Sequence, residues 1–188
     1  MSDDLTALFQ SIGLSESKAK ETLKNKNLAP TLERAITAAG FRDTGCDKST
    51  GALVYSLAST ITPTAATHVD YIAHAIRDGK LLTTDQVAAA IKYASNNKTI
   101  DDAKFNEECG VGIVVTKEEV EKAIDTYTET VKDRLVKDRY KFYGTYFGGA
   151  KNVPSLRWAN GADIKEAVDK KILEVLGPKD ERDAIVKK

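Results

Sequence analysis

Apolar side chains in the first hundred residues recur every three to four positions, in short runs that polar or glycine-containing breaks separate. The first run ends at Gly13, and Ser15 is well placed to cap the helix that follows. Thr83, with Gln86 three residues later, has the pattern of a capping box. No run requires a strand. We therefore predict a helical bundle, built mainly from Leu, Ile and Ala, over residues 1–110.

The next stretch has the pattern of a junction. Residues 105–109 are predicted to form an acidic turn, and Gly110 and Gly112 are predicted to act as a hinge because glycine adopts conformations closed to other residues. The apolar run at 113–115 fits either a very short strand or an extended linker, and the pattern does not separate the two. We assign residues 111–116 to a linker.

A second helical region follows this linker. Thr116 and Glu119 have the spacing of a capping box, and apolar residues then recur at steps of three and four. The last long helix is predicted to stop at Gly177, which Pro178 follows. Residues 117–188 are therefore predicted to form a smaller helical subdomain. The fold class is mainly all-α, with two small helical subdomains joined by a short, extended, glycine-containing linker.

Composition limits the class of protein and the cellular compartment that we expect. Its 188 residues are 41% hydrophobic and 30% charged, which favours a packed core over disorder, and the formal net charge is zero. No apolar run approaches the roughly 20 residues that cross a bilayer, so we expect no membrane partner. Cys46 and Cys109 match no metal or redox spacing. A cytoplasmic protein with reduced thiols is the expectation.

Motifs for catalysis are missing from the sequence. The glycines at 110 and 112 lack the third glycine and the preceding strand of a dinucleotide fingerprint. His68 and His74 are six residues apart, so they do not stack on one helical face as metal ligands would, and His74 is predicted to be half-buried. Glu107 and Glu108 are interpreted as part of a solvated turn. We predict no catalytic residue, metal site or cofactor for this chain.

One segment is strongly basic. Between residues 131 and 158, seven Lys or Arg accompany only two acidic residues, and aromatic residues are interleaved with them. A helix continuing through this segment would align Arg134, Lys137 and Lys141 on one face. Cations beside aromatic rings suit an RNA backbone with exposed bases nearby, although solvated charges around an aromatic core would give the same pattern. The candidate contacts in this segment are Lys132, Arg134, Lys137, Arg139, Lys141 and Arg157. Lys179 and Arg182, further along the chain, are also candidates, and they could face either RNA or another part of a longer protein.

Several segments also carry a family resemblance. In order along nearly the whole chain they are Leu8–Asn25, Asp47–Gly51 with Leu57–Ser59, Phe105–Thr116, and Leu156–Ala159 with Leu176–Asp180. Together they resemble the N-terminal extension of eukaryotic cytosolic glutaminyl-tRNA synthetase and, more distantly, the tail domain of the B subunit of tRNA-dependent amidotransferases. The synthetase's ATP-binding signatures are absent, and the chain ends where the linker to the family's catalytic core would begin.

The resemblance implies a non-catalytic appended domain that binds tRNA non-specifically and helps an ATP-dependent glutamine–tRNA ligase hold its substrate. It implies three partners: tRNA, the chain's own catalytic core and other aminoacyl-tRNA synthetases in a multi-synthetase assembly. DNA is not expected as a partner. The alternative is a protein-interaction module that docks through exposed apolar surface, for which Tyr143, Tyr146 and Phe147 are the candidates.

Overall fold

The computed structural model describes residues 2–183. All regular structure in these residues is helical, so the predicted all-α class is confirmed. The chain divides into two compact units, Met1–Gly112 and Ile113–Lys188. This division falls inside the stretch predicted as a linker. Residues 113–116 carry no regular secondary structure, so neither a strand nor a helix forms there.

The first unit contains seven α-helices within the described residues. They are α1 Ser2–Ser11, α2 Glu16–Lys24, α3 Leu28–Ala38, α4 Lys48–Thr60, α5 Val69–Arg77, α6 Thr84–Asn96 and α7 Asp102–Glu108. Helix α4 lies at the centre and packs against α3, α5 and α6. Its residue Gly51 lies against the end of α1, where an added Cβ would fall 1.6 Å from the carbonyl oxygen of Ile12. Only glycine permits this approach of two helices.

Two predicted helix starts in this unit are confirmed by capping hydrogen bonds. The Ser15 hydroxyl accepts from the Lys18 backbone N–H at 3.1 Å, and the Thr83 hydroxyl accepts from the Gln86 N–H at 3.1 Å. The reciprocal half of the second capping box does not form. Instead, the Gln86 side-chain oxygen accepts from the Leu82 N–H at 2.7 Å.

The acidic turn predicted at residues 105–109 is wrong, because this stretch lies mostly within α7. The Asp101 carboxylate caps the helix by accepting from the Lys104 N–H at 3.0 Å, and the Phe105 ring is fully buried. Glu107 and Glu108 are solvent-exposed as expected, but they are helical. The prediction that His74 is half-buried is also wrong, because this residue is exposed on α5.

The second unit has three α-helices in its described residues: α8 Lys117–Asp138, α9 Tyr143–Lys151 and α10 Gly161–Leu176. The 3₁₀ turns Arg139–Phe142 and Pro154–Leu156 lie between them, and a third turn, Glu181–Asp183, follows α10. The Thr116 hydroxyl caps α8 by accepting from the Glu119 N–H at 3.1 Å, as predicted. Helix α8 packs along α10.

The core of this unit centres on Tyr146, which is completely buried. Its hydroxyl shares a 2.6 Å hydrogen bond with the hydroxyl of Thr128, and its ring stacks on Tyr127 with the ring centres 5.7 Å apart. A buried tyrosine needs a partner for its hydroxyl, and Thr128 supplies it. Tyr146 therefore belongs to the core and is not available as exposed apolar surface.

Candidate nucleic-acid interface

The predicted cations of the second unit separate into two groups according to their partners. Lys137, Lys141, Arg157 and Lys179 are exposed and have no carboxylate within ion-pair distance among the described residues. Lys151 at the end of α9, which belongs to the basic segment but is not among the predicted contacts, has the same properties. We call these five residues the free cations. A free, exposed cation can meet a phosphate without first giving up a protein partner.

The other predicted cations have acidic partners. Lys132 lies 3.9 Å from Glu129, Arg134 lies 3.3 Å from Asp138, and Arg182 lies 2.6 Å from Asp180. Hydrogen bonds from Arg182 lower the pKa of Asp180 to about 2. These pairs are exposed, so each contributes little to stability, but each locally cancels the charge that an RNA backbone would meet.

Arg139 has a structural role that the sequence did not indicate. Its side chain is only 13% exposed and donates to the buried carboxylate of Asp183 from Nε at 3.1 Å. The same carboxylate accepts from the Tyr140 N–H at 3.3 Å. Arg139 also has a positive φ of 53°, which is uncommon for a residue with a side chain. Because it is committed to this contact, we exclude it from the candidate interface.

The single helical face predicted for Arg134, Lys137 and Lys141 does not form, because α8 ends at Asp138. Arg134 and Lys137 lie in its last two turns, whereas Lys141 lies in the 3₁₀ turn that follows. The positive φ of Arg139 breaks the helical path between them. The correct description is a helix end followed by a separate basic turn.

Aromatic rings on α9 and the turn before it form a contiguous strip with two of the free cations, one at the end of α9 and one in the segment after α10. The Lys151 ammonium lies 4.8 Å from the centre of the Phe147 ring, which stacks parallel to Tyr143 at 6.1 Å. Tyr143 and Tyr140 line one groove, and the Lys179 ammonium lies 5.4 Å from the centre of the Tyr140 ring. We call these five residues the cation–aromatic strip. Cations on aromatic faces are favourable in themselves and leave N–H donors exposed.

A second cation–aromatic contact lies in the connection between α9 and α10. The Arg157 guanidinium lies 4.7 Å from the centre of the ring of Trp158, the one tryptophan of the chain. The ring is half-buried, while the arginine is exposed. Overlapping backbone turns, such as the hydrogen bonds from Leu156 N–H to Val153 and from Ala159 N–H to Leu156, hold this connection in place.

The two glycines predicted as a hinge differ in their surroundings. Gly110 is buried and ends α7 at a φ of 64°, and the next residue, Val111, donates its N–H to the Asn106 carbonyl at 2.9 Å. The side-chain amide of buried Gln86 donates to the Gly110 carbonyl at 3.0 Å and to that of the preceding cysteine at 3.1 Å. Gly110 is thus fixed within the first unit. Gly112, exposed and with a φ of 84°, stays a predicted hinge.

Within the described residues, the geometry supports neither a metal site, nor a reactive cysteine at position 109, nor a membrane-spanning helix. No cluster of His, Cys, Asp or Glu that could hold a metal ion occurs in the described portion of the chain. Cys109 is buried, and burial raises the pKa of its thiol to about 12, so it is a poor nucleophile. Within residues 2–183, no helix combines the length and apolar character needed to cross a bilayer.

The fold and the site together define an all-helical, two-unit domain whose exposed chemistry is a set of cations and aromatic rings. Comparison with known proteins then identifies the family. Residues 3–161 match the model of the family described as the first section of the non-specific RNA-binding region of glutaminyl-tRNA synthetase. The chain belongs to this family.

Individual relatives agree with this assignment. The chain is 37% identical over 186 residues to a probable glutamine–tRNA ligase of Schizosaccharomyces pombe, and the match covers 97% of this chain. It is 40% identical over 173 residues to the cytoplasmic asparagine–tRNA ligase of Dictyostelium discoideum, covering 92% of this chain. These matches span only 23% and 26% of the two relatives. The chain therefore corresponds to about a quarter of each.

A solved structure resembles the fold. The tRNA-binding domain of glutaminyl-tRNA synthetase from Saccharomyces cerevisiae superposes with a TM-score of 0.67 at 35% sequence identity. The match covers 98% of this chain and 100% of that one. Both helical units of the present chain thus have counterparts within one known domain.

Proposed function

We propose that this chain is a non-catalytic appendage of a glutamine–tRNA ligase and that it binds tRNA through the sugar–phosphate backbone. The observation that carries this proposal is the match of residues 3–161 to a family described as a non-specific RNA-binding region. The related yeast structure is described as a tRNA-binding domain, and we therefore take tRNA as the RNA partner. The bound tRNA would then be held for a catalytic core that lies outside this chain.

The free cations supply the contacts in this proposal. Lys137, Lys141, Lys151, Arg157 and Lys179 are exposed and lack acidic partners in the described residues, so they can pair with phosphates. Such contacts give affinity without reading the base sequence. The zero net charge of the chain means that long-range attraction is weak and that binding depends on these local groups.

The asparagine–tRNA ligase relative supports binding without tRNA selection. A domain 40% identical to this one occurs in a ligase whose name specifies a different amino acid. A domain that read features unique to glutamine tRNA would be of no use there. We therefore infer that discrimination between tRNAs, ATP binding and aminoacyl transfer belong to the rest of the longer protein. We further propose a cytoplasmic location, as for that relative.

Fluorescence anisotropy with labelled tRNAs tests the proposal. The 188-residue chain should bind glutamine, asparagine and an unrelated tRNA at low salt with affinities that agree within about threefold, and binding should weaken steeply as salt rises. Absence of binding up to high micromolar protein would reject the proposal. A preference of more than about tenfold for one tRNA would reject its non-specific character. In the longer ligase, deletion of residues 1–188 should raise the KM for tRNA.

Docking to the catalytic core or to another synthetase is the second candidate. Its supporting observation is the exposure of two consecutive apolar residues, Ile113 and Val114, at 51% and 68%. Exposed apolar side chains of this size are common singly but favour contact when adjacent. Binding to the purified core of the ligase should weaken when both are changed to serine. Equal affinity of the serine variant would remove this candidate, while tRNA binding provides an independent control.

A further inference from the structure

A groove in the second unit lies at the end of the cation–aromatic strip. Its volume is about 480 Å³, and its lining consists of Tyr140, Tyr143, Gly144, Asp169, Ile172, Leu173 and Lys179. Leu173 is 52% exposed, although it is a large apolar residue beside two aromatic side chains. An apolar groove that also holds a cation and a carboxylate has the features of a ligand site.

The two tyrosines of this groove are held in place by their hydroxyl groups. The Tyr140 hydroxyl donates to the Gly177 carbonyl at 2.6 Å, and the Tyr143 hydroxyl donates to Asp169 at 2.5 Å. Since both hydroxyl donors are already used, the rings contribute aromatic surface rather than polar contacts. Rings fixed in this way lose little conformational entropy when a flat ligand packs on them.

The charged groups of the groove indicate which ligand fits. The Lys179 ammonium lies over the Tyr140 ring and has no acidic partner in the described residues, so an anion can approach it. The negative charge of Asp169 repels an approaching anion only weakly, because the Lys165 ammonium lies 2.7 Å from it. Burial opposes ionisation of Asp169, but hydrogen bonds from Lys165 and Tyr143 outweigh it and lower the pKa. An ionised carboxylate at the edge of the groove can accept a hydrogen bond from an amino group.

We propose that this groove binds one unpaired nucleotide of RNA, with the base packed against Tyr140, Tyr143 and Leu173 and its phosphate at Lys179. Aromatic surface for a base next to a cation for a phosphate is the arrangement by which proteins hold single-stranded nucleic acid. A base within a duplex is stacked on both faces and cannot enter. The proposal rests on the proposed function, and it adds that unpaired segments of the RNA are held differently from helical ones.

The strip beyond the groove favours a nucleic-acid occupant over an apolar protein side chain. Tyr143 stacks parallel to Phe147, and Lys151 lies over Phe147, so the aromatic surface of the strip has a cation at each end, Lys151 and Lys179. A short single strand presents bases flanked by phosphates, which matches this arrangement. An apolar protein side chain seated in the groove would make no use of Lys151 or Lys179.

Helix α9 offers a test with a matched control. An added Cβ at either Gly144 or Gly148 meets no atom within 4 Å, but only Gly144 lines the groove. Gly144→Leu should therefore fill the groove and Gly148→Leu should leave it open, while both changes remove a residue unfavourable to helices. Circular dichroism should give melting temperatures at or above that of the unchanged chain for both variants.

Binding is measured by anisotropy with a labelled single-stranded RNA of about 12 nucleotides, within the length range that single-strand-binding folds cover, and with a blunt RNA duplex. Gly144→Leu should weaken single-strand binding about fivefold, which is the low end for loss of base stacking. Its binding to the duplex, and the salt dependence of that binding, should not change, because the duplex does not enter the groove and the substitution removes no cation. Gly148→Leu should match the unchanged chain with both ligands.

Three results would overturn the inference. Equal single-strand affinity for Gly144→Leu and the unchanged chain would mean that no base enters the groove, and would leave a protein occupant as the explanation of its shape. An equal loss for single strand and duplex would mean that the substitution acts on the backbone contacts. Failure of the unchanged chain to bind either RNA would reject the proposed function, and this inference with it.

Discussion

Lys137 and Arg134 offer a direct test of the distinction between free and paired cations. Both are exposed on α8, three residues apart, and replacing either with alanine removes one positive charge. Arg134 lies 3.3 Å from Asp138 and over the Phe142 ring at 5.0 Å, whereas Lys137 has no ion-pair partner in the described residues. If RNA phosphates pair with the free cations, Lys137→Ala should change the salt dependence of binding much more than Arg134→Ala.

The size of the effect follows from the number of free cations. Each cation that neutralises a phosphate of duplex RNA contributes about 0.9 to the slope of log affinity against log salt, by analogy with DNA. If the five free cations and no other groups make such contacts, the slope is about −4.5, and a rise from about 50 to 200 mM salt weakens binding roughly 500-fold. Lys137→Ala should reduce the slope to about −3.6 and the loss to roughly 150-fold.

The assay is a set of anisotropy titrations of labelled tRNA at several salt concentrations, with thermal melts to verify that each variant folds. Arg134→Ala serves as the charge-matched control. Equal changes of slope in the two variants would mean that ion pairing in the free protein does not decide which cations meet RNA. An unchanged slope for Lys137→Ala would remove this residue from the interface.

Three further predictions concern stability and reactivity. Gly51→Ala should lower the free energy of unfolding in urea by about 3 kcal/mol, because its methyl group would overlap the Ile12 carbonyl; Gly144→Ala, in open space, should be neutral or stabilising. Gln86→Leu should cost about 2 kcal/mol in the same assay, because two buried carbonyls at the end of α7 lose their donor, and a stability equal to that of the unchanged chain would contradict this. Cys109 should resist a thiol reagent at about pH 8, below the ordinary thiol pKa, until the chain unfolds. Rapid labelling of Cys109 in the native chain would refute this. Burial raises the pKa of the Cys109 thiol from 9.0 to about 12, so the stability that the protonated thiol contributes should be complete below pH 9 and lost as the pH rises towards 12.

Much of the fold could be predicted because its signals are local. The caps at Ser15, Thr83 and Thr116 depend on residues three positions apart, and each forms the expected hydrogen bond. Helix α7 escapes prediction because its seven residues are too few to establish a periodicity. The Asp101 cap is a usable signal, since an aspartate before a short helix accepts from the N–H three residues later.

The end of α8 could not be predicted in this way. Neither glycine nor proline marks it, and the positive φ at Arg139 coincides with an ion pair to Asp183, 44 residues further along the chain. A contact over that distance leaves no mark in a local pattern. The aligned basic face failed for the same reason, because its premise was that α8 continues.

The candidate interface depends on partners that composition cannot reveal. A count of cations between residues 131 and 158 treats Arg139 and Lys141 alike, yet one is held against a buried carboxylate and the other is free. The aromatic residues divide in the same way: Tyr146 fills the core, while Tyr143 lines an open groove. Because charges and rings used by the fold are not available to RNA, the surface that we propose for binding lies on α9 and the turns beside it rather than along one face of α8. Under the proposed function, the free cations, rather than all basic residues of the segment, are therefore the groups expected to neutralise phosphates.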